Sequence, residues 1–151
     1  MTIIGIDPGN THSAGVVLEN WAISEKIYLE NDKFIAWVAF WSQERNPLFY
    51  CEMIASYGMA VGRTVFETCV MIGRILQVAP GTQRVTRIQV KSTLCHSAKA
   101  KDANVRQALI DIYGPPGTKK NPGGTYGISG DMWAALAVAT AAERGCQLYT
   151  P

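Results

Sequence analysis

The chain opens with an alternating apolar run. Ile3, Ile4 and Ile6 lead to an aspartate, Asp7, then a Pro8-Gly9-Asn10 turn, and residues 12–19 alternate again. This pattern predicts a two-stranded hairpin with Pro-Gly punctuation. Residues 21–29 (WAISEKIYL) continue as a third strand after the Glu19-Asn20 turn. Over 31–44 the period becomes helical, with Phe34, Ile35, Trp37, Val38 and Trp41 on one side. Pro47 ends that helix, and PLFYCE (47–52) reads as a short buried strand finishing on a second carboxylate, Glu52. Residues 62–79 form an amphipathic helix with a stripe of Val65, Cys69, Ile72, Leu76 and Ala79, stopped by Pro80-Gly81. RVTRI (84–88) predicts a fifth strand, and shorter helices follow at 89–95 and 102–113. Gly and Pro dominate residues 114–130, which composition makes a long mobile loop. An Ala-rich helix, 131–143, closes the chain, with Asp131 in its first turn.

Three meandering strands followed by alternating helices and strands predict a mixed α/β layer fold, one domain over 1–151. No apolar run is long enough to span a bilayer, and the start lacks the layout of a signal peptide, so the expected location is the cytoplasm. The cysteines at 51, 69, 95 and 146 are scattered without a CxxC pair, which predicts reduced thiols and no zinc site. Net charge is +2 but uneven: residues 1–80 carry five Lys/Arg against eight Asp/Glu, and residues 81–151 carry nine against four. The basic second half suits a polyanionic partner.

Asp7 and Glu52 each end a predicted strand, and Asp131 opens the last helix. If the strands they end are parallel neighbours, the first two stand side by side, and the helix can bring Asp131 to the same edge. Clustered carboxylates repel one another unless a cation joins them. Oxygen donors select hard divalent ions, here Mg²⁺ or Mn²⁺, one or two per site. Taken singly, each residue has a simpler role: Asp before Pro-Gly forms turns, a strand-end glutamate is solvated, and an acid at a helix start suits the dipole. Only their joint placement points to a metal.

GIDPGNTHSAGVVL resembles the first strand pair of RuvC-type Holliday-junction resolvases of the RNase H-like superfamily. YCEMIASYGMAVGRTVFETCVMIGRI is similar to the segment that carries the family's glutamate, a loop and a long helix. QVKSTLCHSAKAKDANVRQALI matches a family stretch without gaps, and DMWAALAVA resembles the closing acidic helix. Four blocks in order, over most of the chain, imply an RNase H-like mixed five-stranded sheet: an antiparallel three-strand meander plus parallel strands, flanked by helices. They also imply a divalent-metal-dependent endonuclease that resolves four-way and other branched DNA in recombination or repair. The short length and divergent loops look more like a phage-encoded member, acting in a bacterial host's cytoplasm. Asp7, Glu52 and Asp131 become implied metal ligands, and Lys91 matches a lysine near the scissile phosphate.

The chain departs from the family at several places. The closing helix usually shows two aspartates one turn apart; aligned on Ala135-Leu136-Ala137, Asp131 takes the first and Ala134 the second. Sliding the register makes Asp131 the second and leaves Ile128 at the first. The family's second active-site lysine falls on Asp102, with Lys101 beside it, and an aromatic expected three residues after the glutamate is Ala55, with Tyr57 as substitute. These losses raise an alternative: a catalytically impaired junction-binding protein of the same fold. A further alternative is the first phosphate loop of actin-like ATPases and sugar kinases, which GIDPGNTHSAGVV also resembles. Those proteins need a second lobe for which 151 residues leave no room.

Arg84, Arg87, Lys91, Lys99, Lys101 and Arg106 lie in one short span, and Lys119 and Lys120 sit in the Gly/Pro-rich segment. Such residues supply phosphate contacts that weaken with salt and read little sequence, while a junction is selected by shape. Paired cuts on two strands call for a homodimer with two-fold symmetry. The seam is placed on the helix at 62–79, where Thr64, Thr68, Met71 and Gly73 lie off the apolar stripe. Neither a membrane nor a small-molecule cofactor is expected.

Overall fold

The computed structural model describes residues 1–43 and 46–151. The elements are β1 (Thr2–Asp7), β2 (His12–Glu19), β3 (Ala22–Glu30), α1 (Asn31–Gln43), β4 (Leu48–Met53), α2 (Arg63–Val78), β5 (Gln83–Thr86), α3 (Arg87–Cys95), α4 (Asp102–Tyr113) and α5 (Met132–Glu143). Residue 44, the last of the expected first helix, lies outside the described residues. The five strands form one sheet in the order β3-β2-β1-β4-β5. β1, β2 and β3 pair antiparallel, whereas β4 runs parallel to both β1 and β5. The predicted meander and parallel strands are therefore present.

Alternation divides the sheet between two cores. Ile4 and Ile6 of β1, with Phe49 and Cys51 of β4, pack against Phe34 and Val38 of α1 and Met71, Ile72 and Ile75 of α2. On the other face Ile3, Ala14, Val16 and Leu18 pack against the buried alanines of α5 and against α3 and α4. α5 lies very close to the sheet because Gly5 sits beneath it: a Cβ there would fall on the Ala135 carbonyl oxygen and 2.5 Å from the Ala139 nitrogen. The helix is buried along most of its length, from Ala135 to Ala142. All four cysteines are free thiols, and no helix among the described residues is long and apolar enough to cross a membrane.

Three local expectations change. β5 stops at Thr86, and Arg87 and Ile88 form the first turn of α3 rather than the end of a strand. The cause is a capping box: the Thr86 hydroxyl accepts from the Gln89 backbone N–H, and the Gln89 side chain accepts from the Thr86 N–H at 2.7 Å. On α2 the buried residues are Thr68, Met71, Ile72 and Ile75, and Cys69 is exposed. Thr68 and Met71, placed on the outer seam by the sequence pattern, therefore face the core.

Residues 114–130 carry fastenings that their composition does not announce. The buried Thr125 hydroxyl donates to the Gly114 carbonyl at 2.8 Å, and Gly117 bridges Pro122 as a short antiparallel pair. At the tip, Thr118 N–H donates to Asn121 O at 3.0 Å and Asn121 N–H to the Thr118 hydroxyl at 3.2 Å. This turn presents Lys119 and Lys120, both exposed.

Candidate active site

The alternation that buries Ile3 on the α5 face sends Gly5 and then Asp7 to the same side. On β4, Phe49 and Cys51 face α1 and α2, so Tyr50 and Glu52 face α5. Gly5 is level with Tyr50 and Ile6 with Cys51 in the parallel register, which makes Asp7 and Glu52 the next pair along. Neighbouring strands are about 4.8 Å apart. The strands thus deliver two carboxylates side by side, at their carboxyl ends, on the face covered by the helix that Asp131 opens.

The simpler roles do not account for Asp7 and Glu52, and for Asp131 only its place at a helix start remains. The turn after β1 is fastened by other residues: Gly9 N–H donates to the Ser13 hydroxyl, the Ser13 hydroxyl to Asn31 Oδ1, and Asn31 Nδ2 back to the Gly9 carbonyl. Asp131 occupies the N-cap position of α5, but its side chain makes no capping hydrogen bond. Glu52 is not a solvated strand end, for its side chain is only 18% exposed.

The electrostatics are those of a crowded acidic centre. Burial, then the nearby charges of Glu52 and Asp131, push the Asp7 carboxyl up to about 7, with Arg87 opposing. Burial likewise raises Glu52, and the charge and hydrogen bond of Arg87 pull it back. Asp7 and Asp131 border an open cleft of about 480 Å³ that is also lined by Arg87, Asp102, Arg106 and Trp133. Around it the cations are organised: Arg87 Nη1 lies 3.4 Å from Glu52 Oε2 and its Nη2 2.7 Å from Asp102 Oδ1, while Lys91 Nζ is 3.4 Å from the same Asp102 oxygen. The Arg106 guanidinium stacks over Trp133, 4.6 Å from the ring centroid.

Ala134 also lines the cleft, one turn beyond Asp131, while Ile128 is buried in the core. The position where a second helix carboxylate would face the centre therefore holds a methyl group. Among the described residues no three His, Cys, Asp or Glu side chains close on a single point. The donor chemistry still fits a hard divalent ion: Asp7 and Glu52 are adjacent oxygen donors whose mutual repulsion calls for a cation, and an Arg87 nitrogen already approaches Glu52 in that role. Such an ion would complete its shell with water or phosphate oxygens.

Other predicted contacts are spread around this centre. Lys99 and Lys101 are exposed between α3 and α4, beside the cleft wall formed by Asp102 and Ala103. Arg84 is not part of the cleft lining and meets the C-terminal tail: its guanidinium lies 5.2 Å from the Tyr149 ring centroid, and its carbonyl accepts from Tyr149 N–H. Tyr57 is exposed in the segment between β4 and α2 and is not part of the cleft lining. Residue patterning carries no separate signal for Trp133 or for the Asp102 ion pairs. For Asp102 the one clue was a carboxylate where the resemblance calls for a lysine.

No protein-family model matches this sequence, and no curated protein sequence does. Among solved structures it is similar to Thermus thermophilus RuvC, with a TM-score of 0.72 at 19% identity, covering 99% of this chain and 100% of that one. T. thermophilus RuvC in complex with a Holliday junction substrate gives a TM-score of 0.74 at 18% identity, covering 99% of both chains. The fold is thus the RuvC-like, RNase H-like fold over the whole chain.

Proposed function

We propose that this protein is a structure-selective endonuclease that resolves four-way and other branched DNA by divalent-metal-dependent phosphodiester hydrolysis. The observation that carries this reading is the pair Asp7 and Glu52, adjacent at the ends of parallel strands, with Asp7 bordering a cleft that Asp131, Arg87 and Arg106 also line. The T. thermophilus protein of the same fold is described with a Holliday junction substrate, which supports branched DNA as the partner.

Asp7 and Glu52 would hold the ion, with Asp131 bordering the same cleft. When bound, a Mg²⁺ or Mn²⁺ supplies Lewis-acid activation of water and of the phosphodiester. Lys91, only 19% exposed and 3.4 Å from the Asp102 oxygen that Arg87 also holds, would supply positive charge to the phosphate as it gains negative charge. The test is cleavage of a synthetic four-way junction against a linear duplex of the same sequence, with Mg²⁺ or Mn²⁺. Paired, symmetric nicks in the junction alone support the reading. Tight junction binding without any cutting favours the junction-binding alternative, for which the methyl group at Ala134 is the specific observation.

Affinity for the junction would come from the exposed lysines bordering the centre. Replacing Lys99 and Lys101 together with alanine should weaken binding and reduce the slope of log affinity against log salt by about 2. Fluorescence anisotropy at several salt concentrations reads both quantities, and an unchanged slope would remove these two residues from the DNA contact set.

Two symmetric cuts need two sites, which a two-fold dimer supplies. The outer face of α2 is the surface for it: of the residues the sequence pattern picked, Thr64 and Gly73 are exposed, and Thr68 and Met71 are buried in the core. Phe66 and Val70 are 61% and 66% exposed, and Tyr57, Met59 and Val61 lie exposed in the preceding segment. Phe66 and Val70 stand one turn apart on the helix, and large exposed apolar side chains grouped in this way mark interaction sites. Phe66→Glu with Val70→Glu should give a folded monomer by light scattering, and a dimer persisting in that variant would place the seam elsewhere.

A further inference from the structure

Arg87 begins α3 immediately after the Thr86 cap, which sets its guanidinium beside the acidic centre. One nitrogen makes a short ion pair to Asp102 at 2.7 Å, and the other reaches Glu52 at 3.4 Å. The two contacts are unequal in setting as well as length. Asp102 is 73% exposed and also takes Lys91, whereas Glu52 is semi-buried next to Asp7. Two adjacent carboxylates in a poorly solvated place need a counter-charge, and a guanidinium is one that cannot be lost by deprotonation. An ion arriving at Asp7 and Glu52 competes with Arg87 for the Glu52 oxygens. Asp102 gives the guanidinium a second partner to keep, so its release from Glu52 sacrifices only the longer contact.

We propose that Arg87 is the displaceable counter-cation of the acidic centre, bridging Glu52 and Asp102 when no divalent ion is bound and withdrawing onto Asp102 when one enters beside Asp7. It is a positioning residue, acting through Glu52, and Asp102 is the anchor that determines how readily it yields. The inference rests on the divalent-ion reading given above.

The test is Mn²⁺ binding to the full chain without DNA, read from the electron paramagnetic resonance signal of free Mn²⁺. Arg87→Met removes the competitor and should raise Mn²⁺ affinity about tenfold. Asp102→Asn sends the guanidinium to Glu52 and should lower affinity several-fold. In the Arg87→Met background the same Asp102→Asn change should have a much smaller effect, since the competitor it redirects is gone. A packing role alone predicts losses in both single variants and no such dependence, and that result overturns the proposal. In the wild-type protein, the Nε resonance of Arg87 in isotope-labelled arginine should shift as Mg²⁺ is added; a stationary resonance at saturating Mg²⁺ overturns it too. Asp7→Asn separates the two levels. Equal Mn²⁺ binding by wild type and Asp7→Asn removes the divalent reading itself. Loss of binding in Asp7→Asn, with Arg87→Met matching wild type, removes only the counter-cation role.

Discussion

Asp7→Asn should abolish junction cleavage, by about three orders of magnitude or more, while making the metal-free protein more stable above neutral pH. The second effect follows from the shifted carboxyl. In the folded chain Asp7 is pushed up to about 7 by burial and by the charges of Glu52 and Asp131, from an ordinary value of 3.8. Between those pH values the folded state holds a proton that the unfolded state has released, so stability falls as pH rises. The penalty is absent below about pH 4, grows through the window, and is complete above about pH 7. Asparagine is neutral throughout and nearly the same shape. The difference in unfolding free energy between variant and wild type should therefore rise from near zero at pH 4 to about 2–4 kcal/mol at pH 8. Chemical denaturation at the two pH values reads it, and a difference that does not change with pH would show that Asp7 is not crowded by its neighbours. Saturating Mn²⁺ should offset most of this difference, stabilising wild type by about 2.7 kcal/mol at one hundred times the dissociation constant and leaving the variant unmoved.

Gly5→Ala should be strongly damaging to both stability and cleavage. Its Cβ would meet the backbone of Ala135 and Ala139, which belongs to a buried helix and cannot rotate away. Relief requires lifting α5 from the sheet, at a cost of about 3 kcal/mol or more, with a fall in melting temperature of about 10 °C. The displacement also reaches the acidic centre, because Asp131 is attached to the N-terminus of that helix. Cleavage should consequently fall further than stability alone requires. Val38→Ala is the control: it opens a cavity in the core on the opposite face of the sheet and leaves α5 in place. If Gly5→Ala and Val38→Ala reduce cleavage equally at matched stability, the contact beneath α5 does not position Asp131.

Much of this arrangement could be read before any coordinates. The near-continuous apolar run through Ile3, Ile4 and Ile6 marked the first strand, as it does for a strand buried on both sheet faces. The placement of Asp7 and Glu52 at strand ends was legible for the same reason. On α2 the pattern was right in part: Ile72, Leu76 and Ala79 of the stripe pack on the core, but Cys69 is exposed while Thr68, Met71 and Ile75 turn inward, because apolar residues occupy both sides and only the sheet decides which one it covers. The end of β5 was missed because RVTRI has strand-like residues, and the Thr86-Gln89 capping box overrides them locally. For residues 114–130, glycine and proline content signalled a loop correctly, but the Thr125 anchor and the Gly117–Pro122 bridge are contacts between residues five to eleven apart that composition cannot express. The Arg87–Glu52 pair spans 35 residues and depends on two strands and a cap being right at once.

Anomalous diffraction from crystals grown with Mn²⁺ and an uncut four-way junction measures the central proposal directly. It should show Mn²⁺ within coordination distance of both Asp7 and Glu52, with a DNA phosphate oxygen completing the shell. Mn²⁺ peaks only elsewhere on the protein, with those two carboxylates still facing Arg87 and water, would contradict it.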